Sequence, residues 1–371
     1  MRTNRTNKRN TKKIKRKKNK FNIKKKILYS KTCYKIKKPS KQKKIKCGMK
    51  IILIFFLIIV NFIMIYYNSH NNKNNQKEDY GLSFEEKLKD YNTKKFVLFG
   101  REECPFCGFF SFYIVHLGCA NKFLNEGYIP IIDLLYFTNI FNKGNKSIYN
   151  PWELFFHQPN DYTLEEVKKY AKSIKYVKCT KYNYRPDEKT IYFNNDSIIF
   201  WHNFAKKYTP VKKELMNEAV MIMKNLFGNT KNILGVKIRG TDYYSRPKDH
   251  SIPPKVEQII PDVKEMDKKY NYDFIFFATE DESVKKKFIP EFGEKIKMVN
   301  PNLDINYIER IKDLNEQIKA YLDYVKNYIL NVIILSKCLD IVICRCCGSA
   351  AVFVLTEGFR HSIVYNLGEY K

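Results

Sequence analysis

The chain has 371 residues, and its 68 lysines and arginines against 38 acidic residues give a formal net charge of +30. The excess is uneven, because residues 1–50 hold 23 basic and no acidic side chains, which leaves 45 basic against 38 acidic residues for the rest. The charge therefore belongs to a basic N-terminal tail. By itself such a tail could indicate a nucleic-acid partner or a nuclear address, but the apolar segment that follows it favours a membrane anchor, and we expect no nucleic-acid partner.

A continuous apolar segment follows the tail. Residues 51–67 read IILIFFLIIVNFIMIYY, with Asn61 as the one polar interruption, and these seventeen residues are just long enough to cross a bilayer. The lysine-rich flank predicts a cytoplasmic tail, and no small-residue cleavage site follows the segment. We therefore expect a single-pass type II protein of the Golgi or endoplasmic reticulum membrane. Its C-terminal part would lie in the lumen, where disulfides can form.

The rest of the chain alternates strand-like and helix-like patterns. After an Asn- and Lys-rich stem at 68–94, strand-like apolar runs lie at 96–100, 128–134, 191–193, 233–238, 274–279, 295–299, 340–345 and 362–367. Helical patterns lie between them, at 109–125, 211–226, 256–270, 282–288, 315–338 and 349–356. This alternation predicts parallel sheets covered on both faces, arranged as two α/β domains at 95–225 and 226–371.

The segment NILGVKIRGTDYY at 232–244 carries the most chemical information. A buried strand that ends in Arg239-Gly240-Thr241-Asp242 places these groups at its carboxyl end, where α/β sheets bind ligands. Arginine offers a planar fork of donors that matches phosphate oxygens in pairs, and Gly240 lets the backbone approach closely. The segment therefore predicts a diphosphate site. The alternative is an ordinary strand followed by a polar turn with an exposed arginine.

A second strand, FIFFATEDE at 274–282, also ends in acidic groups. Asp281 is placed where a carboxylate can accept hydrogen bonds from a base or a ribose. The alternative is a helix start in which Thr279 and Glu282 form a capping box. Glu280 and Glu282 are interpreted as solvated acids that favour the start of a helix.

A third strand, DIVICRCCGSAAVFVL at 340–355, runs into Gly348-Ser349 and a helix of small and apolar residues. Backbone N–H groups at the start of a helix bind phosphate, and a serine hydroxyl there adds a donor. Behind the first two strands, this segment completes a series of three strand ends with polar groups.

The sequence Cys104-Pro105-Phe106-Cys107 follows the strand at 96–100 and resembles the redox motif of glutaredoxins. A glutaredoxin-like domain also needs a Val-Pro turn and a Gly-Gly pair some distance on, and residues 150–190 contain neither. We interpret the motif as a local disulfide or a coincidence. A membrane-tethered thiol oxidoreductase is the alternative that would depend on it.

Several of these segments together resemble one family. GVKIRGTDY, HSIPPKVEQII, FFATEDESVKKKF, EFGEKI and CGSAAVFVL look like the C-terminal half of fucosyltransferase-related GT-B glycosyltransferases. That group includes protein O-fucosyltransferases, α1,6-fucosyltransferases and nodulation fucosyltransferases. GFFSFYIVHLGCANKFLNEGYIPIIDL and NPWELFFHQPNDYTLEEV look like the N-terminal half of its surface-glycan branch. The resemblance covers about residues 95–371 and implies two Rossmann-like domains, here behind a single transmembrane helix.

The resemblance also implies roles for individual residues. Arg239 would hold the β-phosphate of a GDP-sugar, with Thr241 and Asp242 supporting the turn. Asp281 would lie near the guanine or ribose, and Ser349 near the phosphates. The donor would be GDP-fucose or another GDP-sugar, used with inversion, with no metal or other cofactor required and a glycan or glycoprotein as acceptor.

The chain departs from the family where Lys237 replaces the usual histidine of the His-x-Arg-x-Thr-Asp motif. This lysine could pair with phosphate or be a surface residue, and it leaves open a catalytically degenerate member that binds nucleotide or sugar without transfer. Inversion requires a general base or an acidic acceptor. Candidates for the base lie in the N-terminal half, at Asp133, Glu153 and His157, and Asp133 is equally a cap at a strand end.

Overall fold

The structure is a computed structural model that describes residues 82–102, 107–180, 186, 188–240, 250–299 and 305–371. In these ranges no helix is long and apolar enough to cross a membrane. The predicted tail at 1–50, the predicted anchor at 51–67 and most of the predicted stem at 68–94 lie outside them.

The N-terminal half is built on a three-stranded parallel sheet of order β2-β1-β3. Its helices and strands are α1 (Phe84–Thr93), β1 (Phe96–Arg101), α2 (Phe109–Asn125), β2 (Ile129–Ile132), α3 (Leu164–Tyr170), β3 (Ile174–Cys179), α4 (Glu188–Phe193), α5 (Asn195–Tyr208) and α6 (Lys213–Phe227). The central strand β1 is buried along its whole length because helices cover both faces.

Helix α2 is apolar on nearly every face, which is typical of a helix inside a core. Its Cys119 forms a disulfide with Cys179 at the end of β3, so the helix is tied covalently to the outer strand. The ring of Phe110 at its start lies 4.9 Å from the ring of Tyr328 in the C-terminal half, edge to face. The two halves therefore share one core, which includes buried residues of both.

The C-terminal half contains a five-stranded parallel sheet of order β6-β5-β4-β7-β8. Its helices and strands are β4 (Ile233–Lys237), α7 (Val256–Tyr270), β5 (Phe274–Ala278), α8 (Glu282–Phe292), β6 (Ile296–Lys297), α9 (Ile305–Glu309), α10 (Leu314–Ser336), β7 (Asp340–Cys344), α11 (Cys347–Leu355) and β8 (Ser362–Tyr365). The chain thus has the mixed α/β architecture with parallel sheets that the sequence pattern predicts.

Three local expectations differ from the structure. Residues 84–93, assigned to the stem, form α1, and the side chain of Tyr91 is fully buried against β1 and α3. The strand predicted at 191–193 is wrong, because these residues end helix α4. Strand β3 was not predicted at all. Lys175 and Lys178 interrupt its apolar residues, and three of its six side chains are exposed.

Candidate active site

The site is assembled at the carboxyl edge of the C-terminal sheet. Strands β5 and β7 pair with the central strand β4 on either side, so the segments that follow all three begin at the same edge. Arg239 follows β4, and its backbone N–H donates to Sγ of Cys344 at 3.1 Å. Its Nη1 lies 2.6 Å from Oε1 of Glu280, which follows β5. Both side chains are less than one-fifth exposed, so this ion pair is partly removed from water.

Gly240 is required by the close approach of Asp281. A Cβ atom at position 240 would lie 2.2 Å from Oδ2 and 2.5 Å from Cβ of Asp281. Asp281 is itself the N-cap of α8, because its Oδ1 accepts from the backbone N–H of Ser283 at 2.8 Å. The cap is therefore Asp281 rather than Thr279, whose hydroxyl instead accepts from the N–H of Asp281 at 3.2 Å. The predicted role of Gly240, a close backbone approach to a phosphate, stays a prediction, because the contact seen here is with the Asp281 side chain.

Lys237 is a buried residue, which removes the surface alternative. It is 2 % exposed, and its Nζ lies 5.4 Å from the ring centre of Tyr328 on α10. Burial alone would lower the pKa of this lysine, but the charges of Cys346, Tyr328 and Glu280 outweigh burial and raise it. A hydrogen bond from Cys344, with the positive charges of Lys237 and Arg239, holds the pKa of Cys346 well below its usual range. The neighbouring groups thus favour the charged form of this buried lysine.

The start of α11 is covered by protein groups. Ser349 is fully buried, and its hydroxyl donates to the carbonyl oxygen of Cys344 at 2.5 Å. The Tyr192 hydroxyl donates to the carbonyl oxygen of Cys346 at 2.7 Å. A Cβ atom at Gly348 would lie 2.0 Å from the Tyr328 hydroxyl. The predicted phosphate role of Gly348 and Ser349 therefore requires these covering groups to be displaced or shared.

A cavity of about 60 Å³ lies beside Glu280, the ion-pair partner of Arg239, between β4, β5, α8 and α10. Its polar lining includes Lys237, Thr279, Glu280, Lys285, Asn327 and Asn331. Since one water molecule needs roughly 10–15 Å³, the cavity has room for several waters or a small polar group. Two lysines, a carboxylate and two carboxamides provide both donors and acceptors for a charged, hydrogen-bonding ligand.

The structure thus brings Arg239, Gly240 and Asp281 together. The start of α11, which follows the neighbouring strand β7, lies at the same edge of the sheet. Thr241 and Asp242 lie outside the described residues. The interpretation of Glu280 as a solvated acid is wrong, because it pairs with Arg239. Its position next to Asp281 at a strand end was the available signal, but sequence alone could not choose between the two acids.

The predicted catalytic carboxylates in the N-terminal half have local partners. Asp133 is 1 % exposed, lies 2.9 Å from Nζ of Lys168 and accepts from the N–H of Leu135 at 2.8 Å. Glu153 accepts from the N–H of Leu164 at 2.7 Å and from the Gln158 amide at 3.0 Å. Burial raises the pKa of Glu153, although these hydrogen bonds oppose the rise. The catalytic role of both carboxylates stays a prediction.

His157 is more accessible than either carboxylate. Its Nδ1 lies 2.7 Å from Oδ1 of Asp161, and its side chain is 27 % exposed. The bond to His157 is the main cause that lowers the pKa of Asp161. Asn160 and Asp161 both have positive φ, at 56° and 57°, a conformation that few residues other than glycine adopt. This local backbone places the carboxylate against the imidazole.

The cysteine motif is only partly described. Cys107 is disulfide-bonded, and Cys104 lies outside the described residues. The part of the chain with assigned structure holds no group of three or more His, Cys, Asp or Glu side chains that could bind a metal ion.

Comparison with other proteins gives similarity in structure only. No family model and no curated protein matches the sequence. Solved structures of fucosyltransferases are among those that resemble the chain. The chain is similar to NodZ α-1,6-fucosyltransferase soaked with GDP-fucose, with 12 % identity, a TM-score of 0.43, and coverage of 71 % of this chain and 93 % of that one. The fucosyltransferase NodZ from Bradyrhizobium gives 12 % identity, a TM-score of 0.41 and the same coverage of both chains, 71 % and 93 %. POFUT1 in complex with GDP gives 10 % identity, a TM-score of 0.40, and coverage of 73 % and 98 %.

Proposed function

We propose that this protein is an inverting glycosyltransferase that transfers a sugar, with fucose as the first candidate, from a GDP-sugar to a glycan or glycoprotein acceptor. The observation that carries the proposal is the position of Arg239. Its guanidinium lies at the carboxyl edge of a parallel sheet and pairs with Glu280, which lines a cavity together with two lysines, and it belongs to the segment that resembles the donor motif of fucosyltransferases.

In this proposal Arg239 binds the departing diphosphate. A planar guanidinium can donate two parallel hydrogen bonds to phosphate oxygens, and it is most effective when negative charge builds on the leaving oxygen. Glu280 is the resident partner of this guanidinium, so an incoming diphosphate competes with a carboxylate at 2.6 Å. Lys237 supplies a second positive charge at the same edge, and these two side chains are the groups proposed to balance the diphosphate.

The proposed compartment is the lumen of the secretory pathway, with the chain anchored by residues 51–67. The Cys119–Cys179 disulfide supports this location, because disulfides persist in oxidising compartments and are rare in the cytosol. A glycosylation reporter fused to the C-terminus should be modified in microsomes. A reporter that stays unmodified there would contradict the proposed topology.

A thermal-shift screen with GDP, UDP, CMP and their sugar conjugates tests the donor class. A ligand that binds only the folded protein stabilises it by RT ln(1 + [L]/Kd), which is about 2.7 kcal/mol at a hundredfold excess over Kd. GDP and a GDP-sugar should raise the melting temperature, and UDP and CMP at equal concentration should not. Equal shifts with all nucleotides, or none with GDP, would contradict the proposed donor.

A further inference from the structure

The segment from residue 133 to 145 is a loop whose shape is fixed by two buried asparagines. The Nδ2 atoms of Asn139 and Asn142 both donate to the carbonyl oxygen of Leu134, each at 2.8 Å. They also both donate to that of Phe137, at 3.1 and 2.8 Å. The Oδ1 atom of Asn142 accepts from two backbone N–H groups of the same loop. Buried carboxamides with all these bonds made rigidify a loop far more than exposed polar residues do.

This rigid loop displays two aromatic rings beside the outer strand β3. The ring of Tyr136 stacks on that of Tyr176, with centres 5.7 Å apart and planes 29° apart, and contacts the ring of Phe137 at 4.5 Å. We name these three side chains the aromatic platform. Tyr176 is 49 % exposed, and β3 is the edge of its sheet.

A charged pair borders the aromatic platform. Nζ of Lys178 lies 5.5 Å from the ring centre of Phe137 and 2.8 Å from Oε2 of Glu102. Both charged side chains are more than half exposed, at 60 % and 54 %. Next to an apolar surface, the pair offers an ammonium donor and a carboxylate acceptor for hydroxyl groups.

The same loop also contacts the helix that lines the cavity. Nζ of Lys143 lies 4.8 Å from the ring centre of Tyr321, and Nδ2 of Asn145 lies 3.5 Å from Oδ1 of Asn315. Both partners belong to α10, whose next turns provide Asn327 and other residues of the cavity lining. One rigid loop thus connects the aromatic platform to the wall of the proposed donor site.

We propose that the aromatic platform binds a pyranose ring of a carbohydrate, and that this carbohydrate is the acceptor. A pyranose has faces of weakly positive C–H groups, which match the negative face of an aromatic ring, and a rim of hydroxyls, which match the bordering charged pair. The role as acceptor rests on the proposed function. Carbohydrate binding itself does not, because it needs no nucleotide.

The test uses the full-length protein on a printed array of diverse neutral oligosaccharides, without nucleotide, followed by calorimetry with the best-bound oligosaccharide. Wild type should bind at least one glycan, and Tyr176→Ala should weaken that binding about tenfold or more, the scale of an aromatic hot spot. Tyr176→Phe keeps the ring and should stay within about threefold of wild type, because the stacking face is unchanged. Tyr307→Ala, at a 67 % exposed aromatic on α9, is the matched control and should bind like wild type.

Wild type that binds no glycan, or Tyr176→Ala that binds as well as wild type, would overturn the proposal. Circular dichroism of each variant separates loss of binding from loss of folding. GDP titrations of the same samples separate the two proposals. If the protein binds a glycan through Tyr176 but does not bind GDP, the aromatic platform is supported and the GDP-sugar donor is contradicted. If it binds GDP but no glycan, the donor is supported and the aromatic platform is contradicted.

Discussion

A methyl group added at Gly240 should destabilise the protein by displacing Asp281. The new Cβ would lie 2.2, 2.5 and 2.7 Å from Oδ2, Cβ and Cγ of Asp281, all below any normal contact distance. The Asp281 side chain would have to move, and it would lose its capping bond to the N–H of Ser283 at 2.8 Å. Loss of a cap costs about 1 kcal/mol, and overpacking costs about 1–3 kcal/mol. We therefore expect Gly240→Ala to lower the free energy of unfolding by about 2–4 kcal/mol.

A double-mutant cycle isolates this contact, with unfolding followed by urea and circular dichroism. Asp281→Gly should cost less than about 1 kcal/mol, because glycine is tolerated as an N-cap, and adding Gly240→Ala to it should cost little more, because all three atoms in collision, Cβ included, are gone. Gly108→Ala is the control, because no atom lies within 4 Å of its Cβ position and its φ of −64° suits any residue. Additive effects of the two substitutions, or a neutral Gly240→Ala, would refute the reasoning.

Three further predictions follow from single contacts. Glu280→Gln should tighten GDP binding about tenfold in calorimetry, because it removes a negative charge that competes with the diphosphate for the guanidinium of Arg239. Weaker binding would contradict this and would mean that the Glu280 carboxylate contacts the ligand. Burial alone would raise the pKa of Asp340, but hydrogen bonds, chiefly from Arg360, outweigh burial and lower it. The Asp340 carboxylate therefore stabilises the fold above its unfolded-state pKa, and this stabilisation is lost as the pH falls through its folded-state pKa. Between about pH 5 and pH 3 the urea midpoint should consequently fall less steeply with pH in Asp340→Asn than in wild type. Equal slopes in the two proteins would contradict this. Replacing Cys119 and Cys179 by serine removes a disulfide between residues 60 positions apart in sequence. The free energy of unfolding, measured with urea, should fall by up to about 4 kcal/mol. A fall below about 1 kcal/mol would mean that the disulfide constrains the unfolded chain little.

The strands of the C-terminal sheet could be predicted from sequence because buried parallel strands are continuous apolar runs. The predicted runs at 233–238, 274–279 and 340–345 each match β4, β5 and β7 to within a residue at their ends. Strand β3 escaped prediction because it lies at an edge, where exposed lysines interrupt the apolar pattern. The tripeptide at 191–193 was predicted as a strand because of its β-branched and aromatic composition. Its Ile191 and Tyr192 are buried in the shared core, and a helix can bury them there as well as a strand can.

Part of the candidate site could also be predicted from sequence, and part could not. Arg239, Gly240 and Asp281 could be placed together because neighbouring parallel strands end at one edge of a sheet. The ion pair between Arg239 and Glu280 could not be predicted from sequence, because it depends on the directions of two side chains that follow the ends of different strands. The burial of Ser349 depends likewise on its hydrogen bond to a strand carbonyl. The asparagine network that shapes the loop at 133–145 consists of side chain to backbone bonds that no periodicity signals.

Titration of GDP into the purified protein by calorimetry, with wild type and Arg239→Ala compared side by side, tests the central claim most directly. If the guanidinium of Arg239 binds the diphosphate, wild type should bind GDP and Arg239→Ala should bind it at least tenfold more weakly, since charge-assisted bonds contribute about 1.5–3 kcal/mol. Arg239→Lys should recover little of the loss, because lysine lacks the paired donors. Wild type that does not bind GDP, or Arg239→Ala that binds it as tightly as wild type, would contradict the account.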